Sequence, residues 1–388
     1  MTMGEGRRLI TGFGLAVVGA MAFTFALGWW LGWAEFVIVG VGCALALLLA
    51  VPFVVGGHQL TLTRRLDPER VEVGEPAESI LAIANGSSRR SAARVINDRL
   101  GVQQMLIDVP ALAGGATVET RRSLPTDRRG IVPVGPAVVA KGDPLGLLER
   151  DLGRTDVQQL MVHPRVVALA PLRAGFAKDL DGPTYDNSPA GDVAFHAVRE
   201  YAPGDDIRHI HWLSTARTGN LMVRHYVDNR RPYLAVIVDA DPDGLSPDGF
   251  ERALEVAASQ VVSASIDGRP VAVWVGEQEV LTSRRPATTN GALDRLCASA
   301  QAPGTGGPAA AVERARRVDP DISAVLVVTG PRPAEDLLPV ATAAKRSGES
   351  IIVRFVDGDV EPTAVPRARV IDCRRLDDFV ARWAGLVR

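Results

Sequence analysis

Lysine is nearly missing from this chain of 388 residues. Lys141, Lys178 and Lys345 stand against abundant arginine, a pattern that fits a GC-rich genome better than a chemical need. Cysteine is equally sparse: Cys43, Cys297 and Cys373 are odd in number and far apart, which excludes a disulfide framework and a structural zinc site. A reducing cytoplasm is the simplest home for the soluble part. An excess of one charge is also lacking. The formal net charge is -2, so there is no bulk attraction to nucleic acid, and no nucleic-acid partner is expected. Three catalytic signatures are absent as well. No GxxxxGK[ST] loop supports nucleotide hydrolysis, no GxSxG elbow presents a serine, and no HExxH pair holds a catalytic zinc.

The residues that are present bound the class. With 47% hydrophobic and 23% charged residues, the chain is neither a disordered polyampholyte nor a polytopic transporter. A mean hydropathy of +0.10 points to a local lipid-facing segment. The length implies two or three domains at roughly 150 residues each.

Residues 10–32 are almost wholly apolar and uncharged, and after Glu35 residues 36–55 are the same. At ~1.5 Å per residue each run reaches the ~30 Å hydrocarbon thickness of a bilayer, so residues 1–58 are expected to form a transmembrane helical hairpin. Gly40, Gly42 and Ala44 permit close helix approach, and Trp29, Trp30 and Trp33 cluster at the turn, where indoles favour the membrane interface. Arg7 and Arg8 precede the first run, Arg64 and Arg65 follow the second, and the turn holds an acid but no Lys or Arg. By the positive-inside rule both termini and the soluble domains are cytoplasmic, which makes this a two-span protein of the cell membrane. A cleaved signal peptide fits less well, because no clear cleavage site precedes a mature domain and a second span comes at once.

Residues 59–175 read as an antiparallel β-sandwich. Strand-length runs at 60–66, 79–84, 95–100, 117–124, 134–139 and 159–162 are broken by turn residues, among them Asn85-Gly86, Gly114-Gly115, Asp67-Pro68 and Asp143-Pro144. Asn85-Gly86-Ser87 is also a glycosylation sequon, for which the turn is the stronger reading on a cytoplasmic domain. From residue 231 to 388 the texture changes. Continuous β-branched runs at 233–239, 271–275, 324–329 and 350–356 alternate with amphipathic helices, one carrying Phe250, Leu254, Ala257, Val261 and Ala264, another Leu337, Val340, Ala341 and Ala344, with a closing helix at 376–387. That alternation predicts a doubly wound α/β domain with ligands at the carboxyl ends of its strands. Residues 301–309, rich in Gly, Pro and Ala, read as a loop.

Between the two domains, residues 176–230 carry the densest polar detail. Arg199, Tyr201, Pro203, Gly204, Asp205, Asp206, Arg208, Ile210 and Trp212, then Ala216, Arg217, Gly219 and Leu221, spell Arg-x-Tyr-x-Pro-Gly-Asp-Asp-x-Arg-x-Ile-x-Trp and then Ala-Arg-x-Gly-x-Leu. This pattern resembles the signature of the bacterial domain of unknown function 58 family. Upstream, residues 129–136 and Asp143-Pro-Leu-Gly-Leu147 are similar to features that precede it in relatives, as is the paired N-terminal hairpin, so the resemblance covers nearly the whole chain. It implies a membrane-tethered protein with a β-domain and a von Willebrand factor A-like domain, often linked to MoxR-type AAA+ ATPases, and it brings no enzymatic activity.

The motif itself has three readings. In a structural one, Pro203-Gly204 turns, Asp205 or Asp206 caps the next segment, Arg199, Arg208 and Arg217 form bidentate pairs with those carboxylates, and Trp212 is the anchor. In a functional one, the same groups lie open to a phosphate or a partner's acidic tail. In the third, His209 and His211, with His196 and His225, hold a metal.

In von Willebrand A domains that bind a cation, Asp-x-Ser-x-Ser ends the first strand; here Asp239-Ala-Asp241-Pro-Asp243-Gly244 stands in its place. Three alternating carboxylates can wrap a hard cation, Mg or Ca, and their summed charge favours calcium or manganese. Alternatively the three aspartates form a solvated turn that caps the next helix. Two functions are compatible with these features. One is a non-enzymatic, membrane-anchored cytoplasmic scaffold or adaptor that binds a protein partner such as a MoxR-type ATPase and needs no cofactor; the other is a divalent-cation-dependent binding domain or hydrolase built on Asp239, Asp241 and Asp243.

Overall fold

The structure, a computed structural model, describes residues 10–54, 60–171, 193–202, 205, 207, 210–228, 233–283, 289–304, 306–344, 349–358 and 363–387. The chain's contacts divide between His163 and Pro164 into two compact units.

The first unit opens with α1 (Gly12–Leu31) and α2 (Ala34–Val54), 20 and 21 residues long and apolar enough to cross a bilayer. They pack on each other as a hairpin. Gly40 meets the ring of Phe25 and Gly28 meets Val37, so these two glycines set the helix separation, whereas Gly42 faces open space. Thr11 fixes the start of α1. Its Oγ1 accepts the Gly14 N–H at 2.9 Å and donates to the Gly146 carbonyl at 2.6 Å, while its own N–H donates to Leu147 O at 3.0 Å. A Cβ on Gly14 would collide with that Leu147 carbonyl. The Asp143-Pro-Leu-Gly-Leu147 motif is therefore a mooring for the hairpin. Asp143 folds it by accepting N–H bonds from Leu145 at 2.8 Å and Leu148 at 2.6 Å. Burial pushes this carboxyl's pKa up, but the backbone donors outweigh burial and hold it below its ordinary value.

Nine strands come next: β1 (Leu60–Asp67), β2 (Arg70–Glu72), β3 (Glu78–Asn85), β4 (Arg94–Leu100), β5 (Gln103–Val109), β6 (Thr117–Ser123), β7 (Gly130–Gly142), β8 (Glu149–Arg154) and β9 (Gln158–His163). One sheet is antiparallel, in the order β1-β3-β6; the other runs β2-β9-β7-β4-β5, with β8 on β7, and departs from the expected antiparallel pairing at its edge, where β2 lies parallel to β9. The strict alternation of β1 puts Leu60 and Leu62 inward, where they pack with Leu81, Ile83, Ile96, Ile107, Val109, Ala137 and Val139 drawn from both sheets.

The same alternation revises one expectation. Arg64 falls on the inward face of β1 and pairs with Asp98 of β4, the two side chains 1% and 2% exposed. It is a core ion pair, whereas its neighbour Arg65, 68% exposed, lies at the surface, 3.5 Å from the likewise exposed Asp67. Asn85-Gly86 does turn the chain, with the Ser87 N–H donating to Asn85 Oδ1 at 3.1 Å, but the turn leads from β3 into a strand of the other sheet. Asn85 is also a buried brace whose Nδ2 donates to the carbonyls of Arg89, Leu112 and Ala113, so the sequon nitrogen is engaged inside the fold.

The second unit begins with β10 (Val193–Glu200), α3 (Trp212–Thr218) and β11 (Met222–Asp228), the two strands pairing antiparallel. Then come β12 (Leu234–Val238), α4 (Pro247–Ile266), β13 (Val271–Val275), β14 (Gln278–Ser283), α5 (Thr289–Ala298), α6 (Gly307–Val318), β15 (Ala324–Thr329), α7 (Ala334–Ala344), β16 (Glu349–Phe355), β17 (Arg369–Cys373) and α8 (Leu376–Leu386). They build a six-stranded sheet in the order β14-β13-β12-β15-β16-β17, parallel except for the edge strand β14. Every residue of β12, β13 and β15 is buried, because helices cover both faces. Phe250 and Leu254 of α4 and Phe379 and Trp383 of α8 pack on one face; Val312 of α6 and Leu337 and Val340 of α7 pack on the other. Helix α6 starts inside the expected 301–309 loop. The strand order turns back between β12 and β15, and the carboxyl ends of those two strands form the switch point where such sheets leave a crevice.

The buried Arg64–Asp98 pair yields a direct test. Asp98→Ala leaves a guanidinium uncompensated in the core and should cost about 3–5 kcal/mol in chemical unfolding of the detergent-solubilised protein. Asp67→Ala, which removes the exposed partner of Arg65, should cost less than about 1 kcal/mol.

Candidate functional site

The switch point is occupied by a charge cluster. Asp239, just past β12, is 1% exposed, and its Oδ2 accepts Thr329 Oγ1 at 2.6 Å from the end of β15 and Arg332 Nε at 2.8 Å. Arg332 Nη2 reaches Asp241 Oδ2 at 3.3 Å. The remaining carboxylate oxygens fold the loop on itself: Asp239 Oδ1 accepts the Asp241 N–H and Asp241 Oδ1 accepts the Asp243 N–H, each at 3.1 Å. Gly244 lies flat against the guanidinium, where any Cβ would strike it, and the Gly330 N–H donates to Gly244 O at 3.1 Å. Burial lowers the pKa of Arg332, but the hydrogen bonds and charges of Asp239 and Asp241 more than reverse that and raise it. A second pair, with a buried arginine and a half-buried carboxylate, backs the first. Arg354 of β16 is bidentate to Asp372 of β17, at 2.6 and 2.8 Å, and its Nη1 donates to the Arg332 carbonyl at 3.2 Å.

Of the three aspartates read as cation ligands, the structure brings Asp239 and Asp241 together around Arg332 and leaves Asp243 exposed. Among the described residues no group of three His, Cys, Asp or Glu side chains is placed to hold a metal ion. The donor set does not suit one either: a hard cation needs carboxylate oxygens free at about 2.0–2.6 Å, and here a guanidinium already engages the Oδ2 atoms of both. Nor is the loop a solvated cap, since Ser246 caps α4 by accepting the Gly249 N–H. Arg332 belongs to no motif in the sequence. Its signal is indirect: an aspartate directly after a fully buried strand needs a nearby positive charge.

The signature segment is braced locally. Arg199 grips Asp205 in a bidentate pair at 2.5 and 2.8 Å, which raises the arginine's pKa, and Asp205 also accepts the Ala202 N–H at 2.8 Å. The Tyr201 N–H donates to Leu221 O and the His211 N–H to Met222 O, each at 2.8 Å, which ties the loop to β11. His211 caps α3 by accepting the Ser214 N–H at Nδ1, so that ring nitrogen serves the helix. Arg217 stands exposed in the last turn of α3, ahead of left-handed Gly219. Trp212 does not anchor the segment: it is 68% exposed, beside Leu213 at 70%. Of the other signature residues, Pro203, Gly204, Asp206 and Arg208 lie outside the described residues, as do His209 and the side chains of His196 and His225.

Residues 197–362 match the family model described as "Protein of unknown function DUF58", which bears out the family resemblance over that stretch. No curated protein matches the chain. Among solved structures it is similar to the CARDB domain of the PF1109 protein from Pyrococcus furiosus, at 10% identity over 27% of this chain and 90% of that one, with a TM-score of 0.20. It is also similar to a β-glucosidase from Listeria innocua, at 17% identity over 27% of this chain and 16% of that one, TM-score 0.19. A third is the alkylpurine DNA glycosylase AlkC from Pseudomonas fluorescens, at 12% identity over 37% and 41%, TM-score 0.21. At such TM-scores these likenesses carry no argument about fold or function.

The buried charges and thiols can each be probed. Arg332→Ala should destabilise the second unit by about 3–5 kcal/mol by stranding Asp239, and Asp239→Asn in the same chain should recover part of that loss; a purely additive double mutant in thermal unfolding would contradict the pairing. Burial pushes the Cys373 thiol up to about 12, and Cys297 is also buried. Both should therefore resist a thiol reagent at neutral pH until the protein is unfolded, as measured by mass spectrometry of labelled peptides.

Proposed function

We propose that the chain is a non-enzymatic, membrane-anchored scaffold or adaptor whose signature segment docks a protein partner. A MoxR-type AAA+ ATPase is the partner that the family resemblance implies. The observation that carries the reading is the display of Ile207, Trp212, Leu213 and Leu221, all exposed, on the segment that the family model matches. Large apolar side chains held at the surface by a locally hydrogen-bonded frame suit a protein interface, and tryptophan is among the commonest anchors of one. The exposed arginines Arg199 and Arg217 supply polar groups beside them.

The finer architecture belongs to the same reading. The two facing sheets of the first unit, with their shared apolar core, support an antiparallel β-sandwich. The largely parallel sheet covered on both faces supports a von Willebrand factor A-like domain. We take α1 and α2 as the anchor in the cell membrane, with both termini and the soluble domains cytoplasmic. Exposed Arg65 after the second helix, and a turn that carries Glu35 with exposed Trp29, Trp30 and Trp33 but no Lys or Arg, support that orientation.

The test is affinity capture from membranes with mass-spectrometric identification of partners, run for wild type and for Trp212→Ala/Leu213→Ala. The expected result is an AAA+ ATPase that co-purifies with wild type and is lost from the double variant, whose melting temperature is unchanged because neither side chain is buried. Equal recovery from both would remove the signature segment from the interface.

A further inference from the structure

We infer that the β-rich unit rests directly on the lipid surface through the loop after β7, with Leu145 entering the headgroup layer. The inference rests on the reading of α1 and α2 as membrane spans and adds what the soluble part does there. It starts from length: α1 has 20 residues, and at ~1.5 Å each all of them are needed to cross ~30 Å of hydrocarbon. The edge of the apolar layer therefore falls at the first turn of α1. At that turn the loop is docked, through the three bonds of Thr11 to Gly146 and Leu147 and through the bridge between Ile10 and Leu148. The α2 helix makes its own contacts with β7, and Ala50 and Val54 in its last turns are buried, so the hairpin leaves the unit from a fixed seat.

The loop has the composition that such a position needs. Leu147 points inward at 2% exposure while Leu145 stands out at 59%, on a turn closed by left-handed Gly146. The loop's own carboxylate, Asp143, is turned inward onto the N–H groups of Leu145 and Leu148, so the charges nearest the leucine in sequence, Lys141 and Glu149, stand back on the strands that flank the loop. An exposed leucine next to a helix entering lipid extends the apolar surface of the spans by one side chain into the interface.

Environment-sensitive labelling in proteoliposomes of phosphatidylcholine and phosphatidylglycerol tests this. In a Cys43→Ala chain, which keeps the two buried cysteines, Leu145→Cys, Leu48→Cys and Val102→Cys are each labelled with a nitrobenzoxadiazole probe. Leu48 is an exposed position within α2. Val102 is fully exposed in the β4–β5 turn, and the antiparallel β4–β7 register puts that turn at the far end of β7 from the loop. The expected result is blue-shifted emission, quenched by nitroxide lipids, at positions 48 and 145, and water-like, unquenched emission at 102. Water-like emission at 145 with lipid-like emission at 48 would overturn the inference and leave the spans intact. Water-like emission at both would overturn the membrane reading and the inference with it.

Discussion

A carboxylate that closes a fully buried strand has to be neutralised inside the protein, and the second unit is arranged around that requirement at Asp239. The strand ends leave a crevice, Thr329 and Arg332 arrive there from the neighbouring strand, and the glycines at 244 and 330 let two loops close over the guanidinium. Arg354 and Asp372 then hold the backbone that presents Arg332. The place where a sheet of this order ordinarily opens to a ligand is thereby filled by the chain's own cation.

The first unit repeats the device. Arg64 and Asp98, 34 residues apart, cross between the two sheets, just as Arg332 and Asp239, 93 apart, cross between loops. A planar guanidinium can offer donors in fixed geometry to two carboxylates, as Arg332 does to Asp239 and Asp241, or two donors to one, as Arg354 does to Asp372, whereas an ammonium group meets them as a point charge. The chain's arginine excess thus has structural use, whatever its genomic origin. The same unit also moors the hairpin, since Thr11 and Gly14 of α1 fit the loop that Asp143 folds.

Much was legible because it rests on periodicity. The two apolar runs, the six runs now found in β1, β3, β4, β6, β7 and β9, and the four buried runs of the parallel sheet all stand in the structure. Strand β5 is hidden in the sequence because Met105, Leu106 and Ile107 run together and break the alternation, and β8 because Glu149–Arg154 is mostly charged. The antiparallel edge strand β14 and helix α6 are hidden for similar reasons, one short and polar, the other entered through glycine and proline. In the signature, the Arg199–Asp205 pair matches its structural reading. Trp212 does not, because an aromatic residue in a motif does not say which side of the helix meets solvent.

The sequence by itself determined the order of parts: an apolar hairpin, a strand-rich region, a polar signature and an alternation of buried strands with amphipathic helices. Those arise from local patterns of hydrophobicity and turn chemistry, which are properties of neighbouring residues. Only the tertiary structure decided which charges meet. Arg64 reads the same as Arg65 along the chain, yet one is neutralised in a core and the other stands in water, because strand pairing and a period of two divide them. Asp239 reads as a metal ligand until Arg332, distant in sequence, is folded against it. Electrostatic partnership is set by distance in space, and spacing along the chain carries little of it.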